Sequence, residues 1–303
     1  MIDFRGAFTA IVTPFSADGR FIDFDRLEAN IRHQAEGGVR GVVPCGTTGE
    51  SPTLSDDEQR AVIEKAVEVG RPLGLMIVAG AGSNNTAHAI EMHRFAKQAG
   101  ADASLQVNPY YNKPSQEGLY RHFMAIADSA ALPIMLYNIP GRTGVALNPD
   151  TVARLSKHPN IRAVKEATGS MDSASEIIEK STNMQLLSGD DSMTLPFASV
   201  GGVGVVSVVS NILPDKVSAL CAAFNAPGGG DWKKARSLHY ELFAVSRGLL
   251  SLDTNPIPIK TAMKILGRDT GALRLPMCPP GEAVAARIRA LLESAGIREQ
   301  QAA

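Results

Sequence analysis

Cysteine is scarce: three among 303 residues, Cys45, Cys221 and Cys278, at spacings that match no zinc or iron–sulfur pattern. Three cannot all pair within one chain, so a disulfide-built secreted fold is not expected and a reducing, cytoplasmic setting is. An excess of one charge is lacking too, with 30 basic and 31 acidic residues, a formal net charge of -1, no basic block and no acidic tail. A phosphate backbone would call for such a block, so nucleic acid is not expected as a partner. Nowhere do about 18 apolar residues run uninterrupted, the length a membrane span needs. The opening MIDFRGAFTAIV carries an acidic residue and no apolar core of signal-peptide length. No low-complexity linker divides the chain, and only REQQAA at 298–303 reads as a loose tail. A small-molecule partner is the class left open.

What is present is alternation. Short β-branched runs recur at FTAIVTPF (8–15), GVVPCG (41–46), GLMIVAG (74–80), ASLQVNP (103–109), PIMLYNIP (133–140), IRAVKEA (161–167), MQLLSGD (184–190) and VGVVSVVS (203–210). Amphipathic segments separate them, among them DFDRLEANIRHQAEGG, SDDEQRAVIEKAVEVG and NNTAHAIEMHRFAKQAG. Several end on the glycine expected at a helix C-terminus, and SDDE at 55–58 has the form of a capping box. The runs are apolar without alternating, which predicts strands covered on both faces.

Number and order fit a closed (β/α)₈ TIM barrel. The rival, a doubly wound open sheet, would carry a GxGxxG turn after its first strand, and none is there. GAGSNN (80–85) uses glycine loosely as a phosphate loop does but lacks the Lys-Ser/Thr end. Past the eighth run no further β pattern occurs; DWKKARSLHYELFAVSRGLL, PIPIKTAMKILG and EAVAARIRALLESAG read as helices. The chain therefore divides into a catalytic barrel over 1–225 and a helical appendage over 226–303 packed on it.

Chemistry in such a barrel gathers at the C-terminal ends of the strands. Those positions hold Thr9 and Thr13, GTTGE (46–50), Asn108, Tyr110 and Tyr111, Tyr137 with Arg142 close behind, Lys165, Gly189-Asp190-Asp191, and Ser207 with Asn211. Lys165 and Glu166 stand side by side at the end of an inside strand, where charges are rarely left unpaired. Neighbours on a strand point to opposite faces, so Glu166 is an awkward partner for Lys165. A lysine directed into an apolar interior can shed its proton, and the free amine attacks a ketone to give an electron-withdrawing iminium. The bland alternative is a lysine that reaches out to water. Tyr137 can relay a proton if hydrogen-bonded to Thr48 and Tyr111, and Arg142 offers a fork suited to a carboxylate. Thr47 and Thr48 present hydroxyls and backbone N–H groups in a glycine-bracketed turn, which any turn also favours.

Other chemistries find less support. His88 and His93 are five apart, and Asp190-Asp191 has no third ligand in register, so no metal site is expected. GxSxG is absent. The residues by themselves lead to a Schiff-base enzyme acting on a carboxylate-bearing ketone, a lyase or aldolase.

Six motifs, GTTGE, PYYNKPSQEG, LYNIPGRTG, VKEATG, LLSGDD and TNPIPIK, occur in the order and spacing of the dihydrodipicolinate synthase family, and the chain resembles that family from about residue 4 to residue 295. The family lies in the pyruvate-dependent class I aldolase superfamily, which includes N-acetylneuraminate lyase. The resemblance implies Lys165 as the pyruvate Schiff base and Tyr137 as the proton shuttle, with Thr48 and Tyr111 completing the relay. Tyr111 would reach across a tight-dimer interface in a homotetramer built as a dimer of dimers. Arg142 would bind the carboxylate of L-aspartate-4-semialdehyde, and Thr47 with the backbones of Gly189 and Val206 would hold pyruvate. No cofactor is implied beyond the covalent imine. Ser51, Asn84 and Tyr110 match the family's lysine-inhibition pocket. Where sensitive forms place an acidic residue, four positions after Asn84, this chain has His88, and Asp56 and Gln59 replace two frequent histidines. Weak or absent lysine feedback is the expectation. Sister lyases for sialic acid, keto-deoxy sugar acids or 4-hydroxy-2-oxoglutarate are the alternative. Arg142 in PGRTG favours a short carboxylated aldehyde over a sugar. A catalytically dead binding protein would be marked by loss of Lys165, Tyr137 or Arg142, and all three are present.

Overall fold

The computed structural model describes residues 2–298, so most of the REQQAA tail lies outside the described residues. Eight strands close into a parallel barrel in sequence order: β1 (Gly6–Ala10), β2 (Gly41–Val43), β3 (Met76–Gly80), β4 (Ala103–Val107), β5 (Ile134–Asn138), β6 (Ile161–Glu166), β7 (Gln185–Ser188) and β8 (Gly204–Ser207). The (β/α)₈ barrel expected from the alternation is the fold. Each expected run overlaps a strand, but most runs extend past the strand's C-terminal end. The first is shifted most, its strand beginning at Gly6 and ending at Ala10 rather than at Phe15. The overshoot has a physical cause: the loops that follow the strands are themselves buried and apolar, so composition does not mark where hydrogen bonding stops.

Around the barrel run α1 (Phe24–Glu36), α2 (Asp56–Gly70), α3 (Thr86–Gln98), α4 (Gln116–Ser129), the single turn α5 (Pro140–Thr143), α6 (Pro149–Leu155), α7 (Met171–Lys180), α8 (Thr194–Ser199) and α9 (Pro214–Phe224). Ser55 caps α2 through the Glu58 N–H while the Glu58 side chain accepts from the Ser55 N–H, the reciprocal box its sequence announces. Three more helices follow: α10 (Trp232–Leu250), α11 (Ile257–Ile265) and α12 (Glu282–Ser294).

Strand side chains sort by parity. Phe8, Val43, Val78, Leu105, Met135, Tyr137, Ala163, Leu187 and Val206 fill the barrel interior with Phe4 at its base. Their neighbours Leu136, Val164 and Leu186 face outward onto the surrounding helices. Both faces are apolar, which is why the runs do not alternate. Leu242, Leu249, Ile259, Met263 and Ile288 of the last three helices join the same apolar cluster as Ile31 and Val62 of α1 and α2. The appendage thus shares a core with the barrel.

Candidate active site

Two lysines are buried, and their surroundings differ. Lys260 on α11 is fully enclosed; its Nζ donates to Glu50 Oε1 at 2.7 Å and to the Thr13 carbonyl at 2.9 Å, above the ring of Phe15. Lys165 is 5 % exposed, and its Nζ lies 4.0 Å from the centroid of the Tyr137 ring. Among the described residues no carboxylate stands within ion-pairing distance of it. Parity accounts for this: Lys165 follows Ala163 into the interior, whereas Glu166 points out and accepts from Asn138 Nδ2 at 2.9 Å and the Thr168 N–H at 2.8 Å. Burial raises the Glu166 carboxyl above its ordinary range, with those two hydrogen bonds opposing the shift. Tyr137 and Lys165 are register partners on β5 and β6, so the sheet itself sets them side by side.

The loop after β2 is held in a costly shape. Cys45 and Glu50, neither a glycine, both take left-handed backbone angles, at φ 55° and 54°. Between them, a Cβ on Gly49 would press within 3.2 Å of Thr13 Oγ1 and the Ile11 carbonyl, so only glycine fits without displacement. Glu50 secures the end of the loop, one carboxylate oxygen taking Lys260 and the other the Arg274 backbone N–H at 3.1 Å. Thr47 is half-buried, and Thr48 is buried with its Oγ1 accepting from Asn255 Nδ2 at 3.0 Å.

A cavity of about 510 Å³ opens over these strand ends, lined by Thr47, Tyr137 and Arg142 among others. Arg142 is exposed on α5 at the rim, and its Nη2 donates to the Asn255 carbonyl at 2.8 Å. Gly189, after β7, comes so near that a Cβ there would meet Ala167 Cβ at 2.7 Å and Lys165 Cε at 3.2 Å. The end of β8, including buried Val206, is fixed by Asp191, whose carboxylate accepts from Ser207 Oγ and from the Val208 and Val209 N–H groups.

The same cavity runs on to Ser51, His88 and Tyr110. His88 Nε2 stands 3.6 Å from Asp56 Oδ1, while Asn84 is turned to the Tyr110 carbonyl. Tyr111 is placed elsewhere: at φ 73° its side chain is 90 % exposed, away from Tyr137 and Thr48 within one chain. Among the described residues no group of three or more His, Cys, Asp or Glu is arranged to hold a metal ion.

Four of the strand-end residues named from sequence point away from the cavity. Thr9 donates to Gln34 on α1, Asn108 to Asn138, Ser207 to Asp191, and Asn211 to the Ala10 carbonyl. They support the barrel rather than the chemistry, because side-chain parity and chain path, not nearness to a strand end, decide orientation. Sequence reading also passed over Asn255, noting only the TNPIPIK stretch that contains it.

A sequence profile of the Dihydrodipicolinate synthetase family matches residues 3–295. A 4-hydroxy-tetrahydrodipicolinate synthase of Nitratidesulfovibrio vulgaris (strain DP4) is 52% identical over 300 residues, covering 98% of this chain and 100% of the relative. The crystal structure of dihydrodipicolinate synthase from Aquifex aeolicus superposes with a TM-score of 0.93 at 40% identity, covering 98% and 100% of the two chains. The chloride-inhibited dihydrodipicolinate synthase from Acinetobacter baumannii, complexed with pyruvate, gives a TM-score of 0.93 at 40% identity, covering 97% of this chain and 100% of that one.

Proposed function

The chain belongs to the dihydrodipicolinate synthetase family and is a Schiff-base-forming lyase with the 4-hydroxy-tetrahydrodipicolinate synthase activity of diaminopimelate and lysine synthesis; from that premise we propose how its residues divide the work. One observation carries the scheme: among the described residues, an interior lysine with no ion-pair partner stands beside a tyrosine ring, while the other buried lysine is paired. An amine meant for a carbonyl cannot be engaged by a carboxylate, since only the neutral form attacks.

In this scheme Lys165 adds to the keto carbon of pyruvate and water leaves, giving the imine. Thr47 and the backbones of Gly189 and Val206 hold the pyruvate carboxylate. Tyr137, in relay with Thr48 and with Tyr111 of a second protomer, takes a proton from the methyl group to form the enamine. The enamine carbon attacks the aldehyde of L-aspartate-4-semialdehyde, whose carboxylate sits on the Arg142 fork, and the relay returns a proton to the new alkoxide. The substrate's amino group then displaces Lys165 from the imine, closing the ring and freeing the enzyme. No cofactor enters. The barrel of residues 1–225 supplies these groups, the appendage of 226–303 braces them, and the reaction runs in the cytoplasm.

The Tyr111 placement supports the tight-dimer contact of the proposed homotetramer, since an exposed aromatic on a strained backbone is accounted for if it docks into a neighbour. We assign Ser51, Asn84, His88 and Tyr110 to a regulatory pocket with weak lysine feedback. Position 88 lacks the carboxylate that would hold an ammonium, and the nearby Asp56 faces His88 instead.

The test is pyruvate consumption by the purified protein against aspartate semialdehyde, N-acetylmannosamine, glyoxylate and glyceraldehyde, with Lys165→Ala as control. Turnover with aspartate semialdehyde alone, and no borohydride-trapped pyruvate adduct in the variant, is expected. Preference for another aldehyde would overturn the substrate assignment, and an adduct surviving in Lys165→Ala would overturn the role of Lys165.

A further inference from the structure

Asn255 lies in the short connection between α10 and α11, far in sequence from every strand end, yet it lines the cavity. Its side chain and its backbone reach two different parts of the site. The side-chain amide donates to Thr48 Oγ1 at 3.0 Å, and the main-chain carbonyl accepts from Arg142 Nη2 at 2.8 Å. The connection is held in place from the next helix, where Lys260 is locked to Glu50 at the far end of the Thr48 loop.

Each contact constrains chemistry as well as position. A threonine hydroxyl has one proton and two lone pairs. With the amide N–H on one lone pair, the hydroxyl proton is left to be given to another acceptor. The main-chain carbonyl cannot rotate away, and it occupies one nitrogen of a guanidinium that has five N–H donors, leaving the rest of the fork for a carboxylate. A purely structural asparagine accounts poorly for the remaining atom. Asn255 Oδ1 is buried with no hydrogen-bond partner among the described residues, and an unmet acceptor costs stability.

We propose that Asn255 is a positioning residue for both limbs of the site: its amide sets Thr48 as a proton donor, and its carbonyl sets the direction of Arg142. The proposal rests on the roles given to Thr48 and Arg142 above.

The two atoms can be separated experimentally, because substitution changes the amide and leaves the carbonyl. Asn255→Asp is nearly isosteric, but an ionised carboxylate only accepts, so Thr48 would have to turn and donate to it. Asn255→Ala removes the contact. Steady-state kinetics across pH would be measured for both, for Thr48→Val, and for Thr48→Val combined with Asn255→Ala. Borohydride trapping of pyruvate on Lys165 verifies that each variant retains a folded site.

The expected kcat loss is about tenfold or more in both single Asn255 variants, in line with a misaligned proton transfer. KM for aspartate semialdehyde should move by less than about threefold, because the contact to Arg142 survives. The rate of Asn255→Asp relative to the parent should climb as pH falls, since the protonated acid can donate to Thr48 again, while the relative rate of Asn255→Ala stays flat. Adding Asn255→Ala to Thr48→Val should cost nothing further in kcat. Both Asn255 variants within twofold of the parent, or a flat relative pH profile for Asn255→Asp, would overturn the proposal. If those variants are unimpaired while Thr48→Val is slow, only the inference about Asn255 falls. If Thr48→Val itself turns over at the parent rate, the relay assignment beneath it falls.

Discussion

At the scale of single residues, Lys165 and Lys260 contrast as an unpaired and an ion-paired buried lysine among the described residues. Lys260 has a carboxylate, a carbonyl and an aromatic face around its ammonium, while Lys165 has an aromatic ring and, among the described residues, no carboxylate partner. Sequence sets Lys165 at a strand end and Lys260 at a Pro-flanked helix start, where a lysine reads as structural. The decisive fact, a missing partner, is a matter of three dimensions. Tyr137 bears on the same question. Replacing it with Phe keeps the ring against Lys165 and removes the hydroxyl, so the fold and imine trapping should persist while condensation slows about 100-fold or more. Stopped-flow absorbance with both substrates would measure this, and a near-normal rate would sink the relay role of Tyr137.

At the scale of elements, the loop after β2 takes its shape from a helix more than 200 positions further along the chain. Glu50 carries a left-handed backbone and a buried carboxylate, and both persist because α11 sends Lys260 to meet it. Arg274 strengthens the same junction, its guanidinium spanning Glu58 on α2 and the carbonyls of Gly19, Arg20 and Thr53. Lys260→Met should therefore strand a buried carboxylate and lower stability by about 3–5 kcal/mol, read as a fall in the denaturation midpoint. Lys260→Met combined with Glu50→Gln should recover part of that loss, because the orphaned charge is gone. Failure of the second change to recover any stability would show that the pair is not what holds the junction.

For the whole molecule, acid sensitivity follows from two enclosed histidines. Burial lowers His93 and His122 to about 4, well under the usual 6.5. The unfolded chain takes up protons between those values that the folded chain refuses, so stability falls as pH drops through that window. Each histidine contributes up to about 3 kcal/mol to this loss. His122→Leu should lose less stability than the parent between neutral pH and about pH 5, whatever its stability at neutral pH. Chemical denaturation at the two pH values decides it, and equal losses would remove His122 as a source.

Assembly gives a second test at this scale. Lys165→Ala and Tyr111→Phe, each inactive or slow alone, should regain activity when co-expressed, because a mixed dimer contains one site with both Lys165 and a partner's Tyr111. No gain over the separate variants would count against a shared site.

Much of the barrel was legible because every strand buries one face in the barrel interior and the other under the helices, and that leaves unbroken apolar runs. The buried interior position of Lys165 was legible through the cost of placing a charge in such a run. Other features were not. Thr9 and Asn108 sit at the right level, but Thr9 is turned to Gln34 on α1 and Asn108 to Asn138 on β5. Asn255 contacts residues 207 and 113 positions away, a distance at which no local pattern operates.

The apolar fill from Phe4 and Phe8 up to Tyr137 closes the barrel beneath the site. Arg142 is exposed and lines the cavity, whereas Lys165 is buried. On the roles proposed for Lys165 and Arg142, traffic is sequential, with the keto acid reaching the lysine before the aldehyde settles on the arginine. A semialdehyde molecule that arrives first becomes a stopper, so excess of the second substrate should slow the enzyme by queueing alone, with no regulatory site involved.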